Sequence, residues 1–377
     1  MQPMYSRVLS ALAADPWAIL PDTLETMCAV LEARANGGPS MSKDETRAAM
    51  GAPVAAAPSI YGGGGGSVAV IPLAGILSPK MNMLAEFSGG TSLAMFRKQL
   101  ATAAADAGVK AIVLAVDSPG GSVTGCEETW NAVREAAKMK PVVASVDALM
   151  GSGALWIASA CDEIDMTPSG TGGSLGVFCV HRDLSKAEAE AGVKVTYITA
   201  DISPFKNEGN PDEPLGDDAR AALKQRVNHW AGIFLSQVAK GRELSESVVQ
   251  KTFGMGRTLV ASEALEVGMI DRVATFDATI ARMLTVKPTA GARASVAGAF
   301  AKLVAGGADD LDPEEPSEDE LCPECKGSGL KTESQRSDPA GQEPCEACEG
   351  TGKRTAAATN DDALADEHAL LAALSRD

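Results

Sequence analysis

Three short stretches hold the residue types from which hydrolytic chemistry can be built. The first, "VDALMGSGALWIASACDEI" (Val146–Ile164), sets Ser152 between Gly151 and Gly153 just before an apolar run. A nucleophilic serine needs an exposed, strained position and a proton acceptor close by. A strand–turn–helix passage supplies the exposure, and small neighbours let a substrate backbone approach. A helix N-terminus turns backbone N–H groups toward a developing oxyanion. The same place also suits a serine that only caps a helix, so this stretch alone does not choose. The second, "VDSPGGSVTG" (Val116–Gly125), follows an apolar strand with a tight glycine turn. Its amides can point into a cleft, which makes Gly120 and Gly121, with the N–H of Gly153, candidates for an oxyanion hole. No Gly-Lys-Ser/Thr follows, so it is not a phosphate-binding loop.

The third stretch concerns the base. The chain has three histidines. His229 falls in a long helical pattern and His368 in the tail, and both read as structural. His181, after "GGSLGVFCV", is one candidate. The other is Lys206, in "ADISPFKNEGNPDEPL", where Pro204, Pro211, Pro214 and Gly209 give the loop a set shape. Burial can bring a lysine's pKa toward working pH, and Pro204 and Phe205 flank it, although a loop lysine is more often solvated. Lys186 and Lys194 are weaker candidates, in regular elements.

A separate signal lies further on. "CPECKGSG" and "CEACEGTG" place Cys322, Cys325, Cys345 and Cys348 as two C-x-x-C pairs with 19 residues between Cys325 and Cys345. Four thiolates so arranged suit a tetrahedral, structural zinc with no position left for water. No cofactor is expected for the chemistry at the serine. Cys28, Cys126, Cys161 and Cys179 are scattered and read as buried thiols.

The elements that must position these groups follow from periodicity. Residues 1–36 read as helical, with Leu9, Leu12, Trp17 and Ile19 near one end and Leu24, Met27, Val30 and Leu31 further on. Linker-like residues lead to "YGGGGGSV". From Val68 strands and helices alternate: "SVAVIPLAGIL" as a strand or strand pair, a helix over Leu93–Ala107, a strand over Val109–Val116, a helix over about Thr124–Lys138. They continue with "PVVASV", a helix opening at Ser152–Ala160, "KVTYITA" as a strand, and a helix over Asp217–Arg242. This alternation predicts an α/β fold with a largely parallel sheet. The expected organisation is an N-terminal helical region and linker (1–60), an α/β domain (66–280), an Ala-rich and acidic linker (281–320), a zinc module (321–354) and a helical or disordered tail (355–377).

The totals narrow the function classes. Of 377 residues, 45% are hydrophobic and 22% charged, and the net charge is −17. That charge argues against nucleic-acid binding and against docking on anionic lipid. No run approaches the ~18 apolar residues of a membrane span, and the N-terminus lacks the pattern of a signal peptide, so a cytoplasmic location is expected.

In order and with consistent spacing, VDSPGGSVTG, SGALWIASACD, GGSLGV, KNEGNP and GRTLVASEALEVGMID resemble the signal peptide peptidase A family of serine peptidases. Within it they resemble the bacteriophage branch that processes capsids. The likeness covers roughly residues 66–278, and the N-terminal helices resemble the same branch. The resemblance implies a Clp protease/crotonase-like fold of repeated β-β-α units and a Ser–Lys dyad. Ser152 would be the nucleophile, Lys206 the general base, Ser174 the hydroxyl that orients the lysine amine, and Gly120 and Gly121 the oxyanion side. The loop "DISPFKNEG" departs from the family's pattern around the lysine, so Lys186, Lys194 and a Clp-like role for His181 stay open. A single copy of the unit implies a homo-oligomer in which neighbouring subunits complete each site. The implied function is a serine endopeptidase acting on phage prohead, capsid, scaffold or portal proteins, in host cytoplasm or inside the procapsid. The alternatives are a signal-peptide-degrading peptidase and a non-proteolytic scaffold or chaperone-like binder on the same fold. The cysteine knuckles resemble half of the zinc module of DnaJ-type chaperones, which implies guidance toward a substrate or assembly.

Overall fold

A computed structural model of the chain describes residues 14–35, 57–62, 66–80 and 90–286. All lie in the first of two compact units, Met1–Ala308. The second, Asp309–Asp377, carries Cys322, Cys325, Cys345 and Cys348 and lies outside the described residues, as do the expected helix before residue 14 and the tail.

The runs richest in β-branched residues form the centre. Ser67–Ala74 (β3), Val109–Ser118 (β6) and Val142–Gly151 (β8) lie side by side and parallel. Most of β6 is buried, as befits a strand covered on both faces. Ser59–Tyr61 (β2) closes one edge, antiparallel to β3. The far edge of β8 is shared. Glu163–Met166 (β9) runs parallel to its first half, and Thr171–Gly173 (β10) runs parallel to its last residues, Leu149–Gly151. Thr258–Val260 (β11) then pairs antiparallel with β10, and Arg272–Val273 (β12) parallel with β9. A small sheet is ordered Trp17–Ile19 (β1), Gly120–Ser122 (β7), Leu77–Ser78 (β4) and Thr91–Ser92 (β5), joining the N-terminal strand to the chain just past the ends of β3 and β6.

Strand alternation sends successive side chains to opposite faces. Ala69, Ile71 and Leu73 join a large core with Leu93, Phe96 and Leu100 of Leu93–Ala105 (α2) and Trp130 and Val133 of Cys126–Ala137 (α3). Leu155 and Trp156 of Gly153–Ala158 (α4) and Phe234 and Val238 of Asp217–Gly241 (α6) complete it. Val68, Val70, Val113 and Val143 face the other way, onto Ile280 and Met283 of Phe276–Met283 (α9). The α/β class, the parallel sheet and the strands and helices between residues 67 and 166 follow the periodicity of the sequence.

Two expectations fail. Trp17 and Ile19 are not helical. Trp17–Ile19 is a strand, and the helix, Pro21–Ala35 (α1), begins at Pro21. Pro16 and Pro21 bracket the segment; the residue before a proline is pushed out of the helical region, and a proline suits a helix's first turn. "KVTYITA" forms no strand, and residues 193–200 are irregular. Ile198 is 95% exposed, and no described strand pairs with the segment, so its β-branched residues have no sheet to complete.

Candidate active site

The end of β8 delivers Ser152 onto the first turn of α4. Its backbone is held at φ 47°, ψ −109°, a conformation that costs a residue with a Cβ about 1–3 kcal/mol. The bond from Ser152 N–H to the carbonyl of Gly173 (2.7 Å) and that from Trp156 N–H to the carbonyl of Ser152 (2.9 Å) hold it there. Although Ser152 occupies the N-cap position, its side chain makes no capping hydrogen bond. Its Oγ instead lies 3.5 Å from the carbonyl oxygen of Gly176. The plain capping role is therefore not the one this side chain plays. α4 is fixed from behind: Trp156 stacks on Phe234 at 4.6 Å and donates to Gln237 at 2.6 Å, while Ser159 accepts from Trp130 at 3.0 Å.

The glycines converge on the same point. Gly120 has φ 95°; a methyl added to it would lie 2.9 Å from the nitrogen of Gly153 and collide with the carbonyl oxygen of Ala18. Its own N–H donates to Ser118 Oγ at 3.1 Å, so the amides of Gly121 and Gly153 are the two left to face the cleft. Cys126 backs this nest, its Sγ being the second atom a Gly153 methyl would meet. Burial pushes its thiol up to about 12, with Glu128 adding to the effect, so it stays protonated and packs as a small apolar group.

Ser174 follows β10, buried, with φ 55° and its N–H on the carbonyl of Arg257 at 2.8 Å. Because β10 pairs with β8 through Gly173 and Gly151, the residues next to both pairing partners, Ser174 and Ser152, are neighbours. Lys206 stands elsewhere. It is exposed in a turn, its backbone N–H donating to Ser203, and among the described residues no hydrogen bond joins its amine to Ser152 or Ser174. Lys186 and Lys194 are exposed too. The Nε2 of His181 lies 3.0 Å from the carbonyl oxygen of Asn210, so that nitrogen is engaged away from the serine. Cys28, Cys126 and Cys161 are buried free thiols and Cys179 is half-buried. Among the described residues no group of His, Cys, Asp or Glu is placed to hold a metal ion, and no helix is long and apolar enough to cross a membrane.

The cleft holds a strand that the periodicity of the sequence did not anticipate. β1 lies antiparallel to β7, with Ala18 opposite Gly121. Leu20 N–H donates to Pro119 at 3.0 Å, and Val123 N–H donates to Pro16 at 3.5 Å. On the other edge, Trp17 and Phe178 exchange both backbone bonds, at 2.8 and 3.1 Å. Ser152 is 0% exposed, with Leu20 packed against Gly151 and Ala18 against Gly153 on either side of it. The two bracketing prolines were the signal for an extended segment here.

Residues 134–288 match the model of Peptidase family S49, a span that includes Ser152, Ser174 and Lys206 and leaves Gly120 and Gly121 outside. Capsid assembly protease C of Escherichia phage lambda is 30% identical over 55% of this chain and 46% of that protein. The head-tail preconnector protein GP5 of Enterobacteria phage P21 is 29% identical over 58% and 43%. Protease 4 of Haemophilus influenzae is 30% identical over 52% and 31%. The chain thus spans less than half the length of each of these relatives. The solved ClpP1 of Listeria monocytogenes aligns with 56% of this chain and 94% of its own at 13% identity and a TM-score of 0.32.

Proposed function

We propose that the chain is a serine endopeptidase with Ser152 as nucleophile, acting on phage prohead, capsid or scaffold proteins during head maturation. The observation that carries this is Ser152 itself: a strained, uncapped serine at a strand–helix turn beside the amides of Gly121 and Gly153. Family S49 similarity over that segment and likeness to two phage head proteins support it. A neutral amine takes the Oγ proton and the oxygen attacks a peptide carbonyl, whose oxyanion the two amides receive. The C–N bond then breaks as the amine returns the proton, and water hydrolyses the ester.

The base in this reading is Lys206, oriented by the Ser174 of its own or a neighbouring chain. Tyr197, Ile198, Ile202 and Phe205, all exposed on the same irregular segment, favour a subunit contact that brings a neighbour's Lys206 to Ser152. The Clp/crotonase-like assignment, the domain limits given above, the cytoplasmic or procapsid location and the structural zinc on Cys322, Cys325, Cys345 and Cys348 belong to the same proposal. The equal identity to Protease 4 supports a second reading, a signal-peptide-degrading peptidase. Co-expression with a phage head gene cluster, and separately digestion of a synthetic signal peptide, distinguishes the two. In either case Ser152→Ala lowers kcat/KM by roughly 10³-fold or more; full activity in that variant would overturn the assignment.

A further inference from the structure

We propose that the segment Pro16–Leu20 is a built-in ligand of the peptide cleft, lying where an extended substrate lies and keeping Ser152 covered until it is displaced. The inference rests on reading Ser152 and the glycine nest as the acyl-transfer site.

Three independent features support it. The first is backbone pairing on both edges. In an antiparallel pair the bonded partners alternate. Leu20 with Pro119 and Pro16 with Val123 are such partners, so the pair between them, Ala18 and Gly121, is bonded as well, and the Gly121 N–H donates to the Ala18 carbonyl. Trp17, one residue earlier, turns its polar groups to the opposite edge and bonds Phe178. The segment thus lies as a strand along β7 with a single bridge to Phe178 on its other edge, the manner in which sheet edges take extended peptides.

The second is the position of one atom. The Ala18 carbonyl oxygen is the first atom that a methyl on either Gly120 or Gly153 would meet. It therefore sits in the nest that the mechanism assigns to the carbonyl under attack, and the Leu20 side chain lies over Gly151, beside Ser152. The third is how the segment is held. Ala18 is packed in the main core, so the cleft accepts a small side chain there. Trp17 and Ile19 instead join a separate cluster with Leu24, Met27 and Cys28 of α1 and with Ile76. The helix thus anchors the strand by contacts distinct from the main core.

The test uses the full-length chain. In a Ser152→Ala background, binding of a fluorescent Asp-Pro-Trp-Ala-Ile-Leu peptide is compared with and without Ile19→Asp, and again with Trp17→Ser should the first variant not fold. Both positions lie in the small cluster, away from the main core. Loosening the strand is expected to tighten peptide binding about tenfold or more, because the competent fraction sets the apparent affinity. Equal binding with and without the substitution, or no binding to a folded variant, overturns the proposal. With Ser152 intact, Ile19→Asp is expected to raise casein hydrolysis by a similar factor. Peptide binding that appears as expected while neither chain cuts casein would instead overturn the peptidase reading and leave the occupancy standing.

Discussion

Ser152 carries a conflict between stability and chemistry that can be measured. Its backbone conformation favours glycine, and its hydroxyl caps nothing. Ser152→Gly should therefore stabilise the fold by about 1 kcal/mol while removing the proposed nucleophile, which urea unfolding at neutral pH will read. A loss of stability would mean that the hydroxyl holds the turn. Asp117, one residue before the Ser118 that fixes the Gly120 amide, offers a pH test. Burial, and then the neighbouring Asp147, raise its pKa, against a lowering bond from the backbone of Leu149. A raised carboxyl favours the protonated fold, so its contribution is full below the unfolded pKa and is lost as pH rises through the folded one. Asp117→Asn should thus gain stability over the natural chain at pH 7 and show no such gain at pH 3. Equal differences at the two pH values would contradict the assigned shift.

At the scale of elements, the proposed nucleophile is only as well placed as α4, a helix of six residues. Such a helix does not persist alone, and its position is set by Trp156 against Phe234 and Gln237. Trp156→Ala is expected to cost about 3–5 kcal/mol, with activity lost at temperatures where the fold survives. A second anchoring point lies on the far side of the sheet. Asp165 of β9 is fully buried and meets Arg272 at 2.9 Å, Arg282 at 2.6 Å and Thr279 at 2.7 Å. Glu163 shares both arginines, and its hydrogen bond from Arg272 holds its carboxyl below the usual range despite the opposing effect of burial. Glu163 still holds both partly exposed guanidinium groups when Asp165 is gone, so Asp165→Ala should destabilise by about 1–3 kcal/mol, chiefly by leaving the buried Thr279 hydroxyl and the inner N–H groups without their acceptor. Thermal unfolding checks this, and a change within error would mean that α9 is held by its apolar face and Glu163 without Asp165.

For the whole molecule, the proposed dyad turns on which chain supplies Lys206. Lys206 and the apolar side chains around it lie on one irregular stretch. Ile198 and Ile202 are each at least 95% exposed, a pattern associated with interaction surfaces. If the amine crosses a subunit boundary, Ser152→Ala and Lys206→Ala chains, each inactive alone, recover cleavage when assembled together. Ile198→Asp with Ile202→Asp should lower the oligomeric mass seen by light scattering and abolish cleavage. No recovery in the mixture would place the base within the chain.

The sequence by itself determined the α/β class, the parallel order of its apolar strands and the serine between two glycines, because these depend on periodicity and on turn chemistry written in neighbouring residues. It also carried the pair of prolines that makes Trp17–Ile19 extended, although helical spacing masked them. Tertiary structure decided what no local pattern encodes. It showed that Gly121 and Gly153 meet across 32 positions of chain, that the Gly120 amide is turned away onto Ser118, that "KVTYITA" finds no sheet to join, and that Trp17–Ile19 pairs as a strand with Gly120–Ser122. Each of these depends on which strand edge is left free once the sheet has closed, a property of the packed whole rather than of any segment.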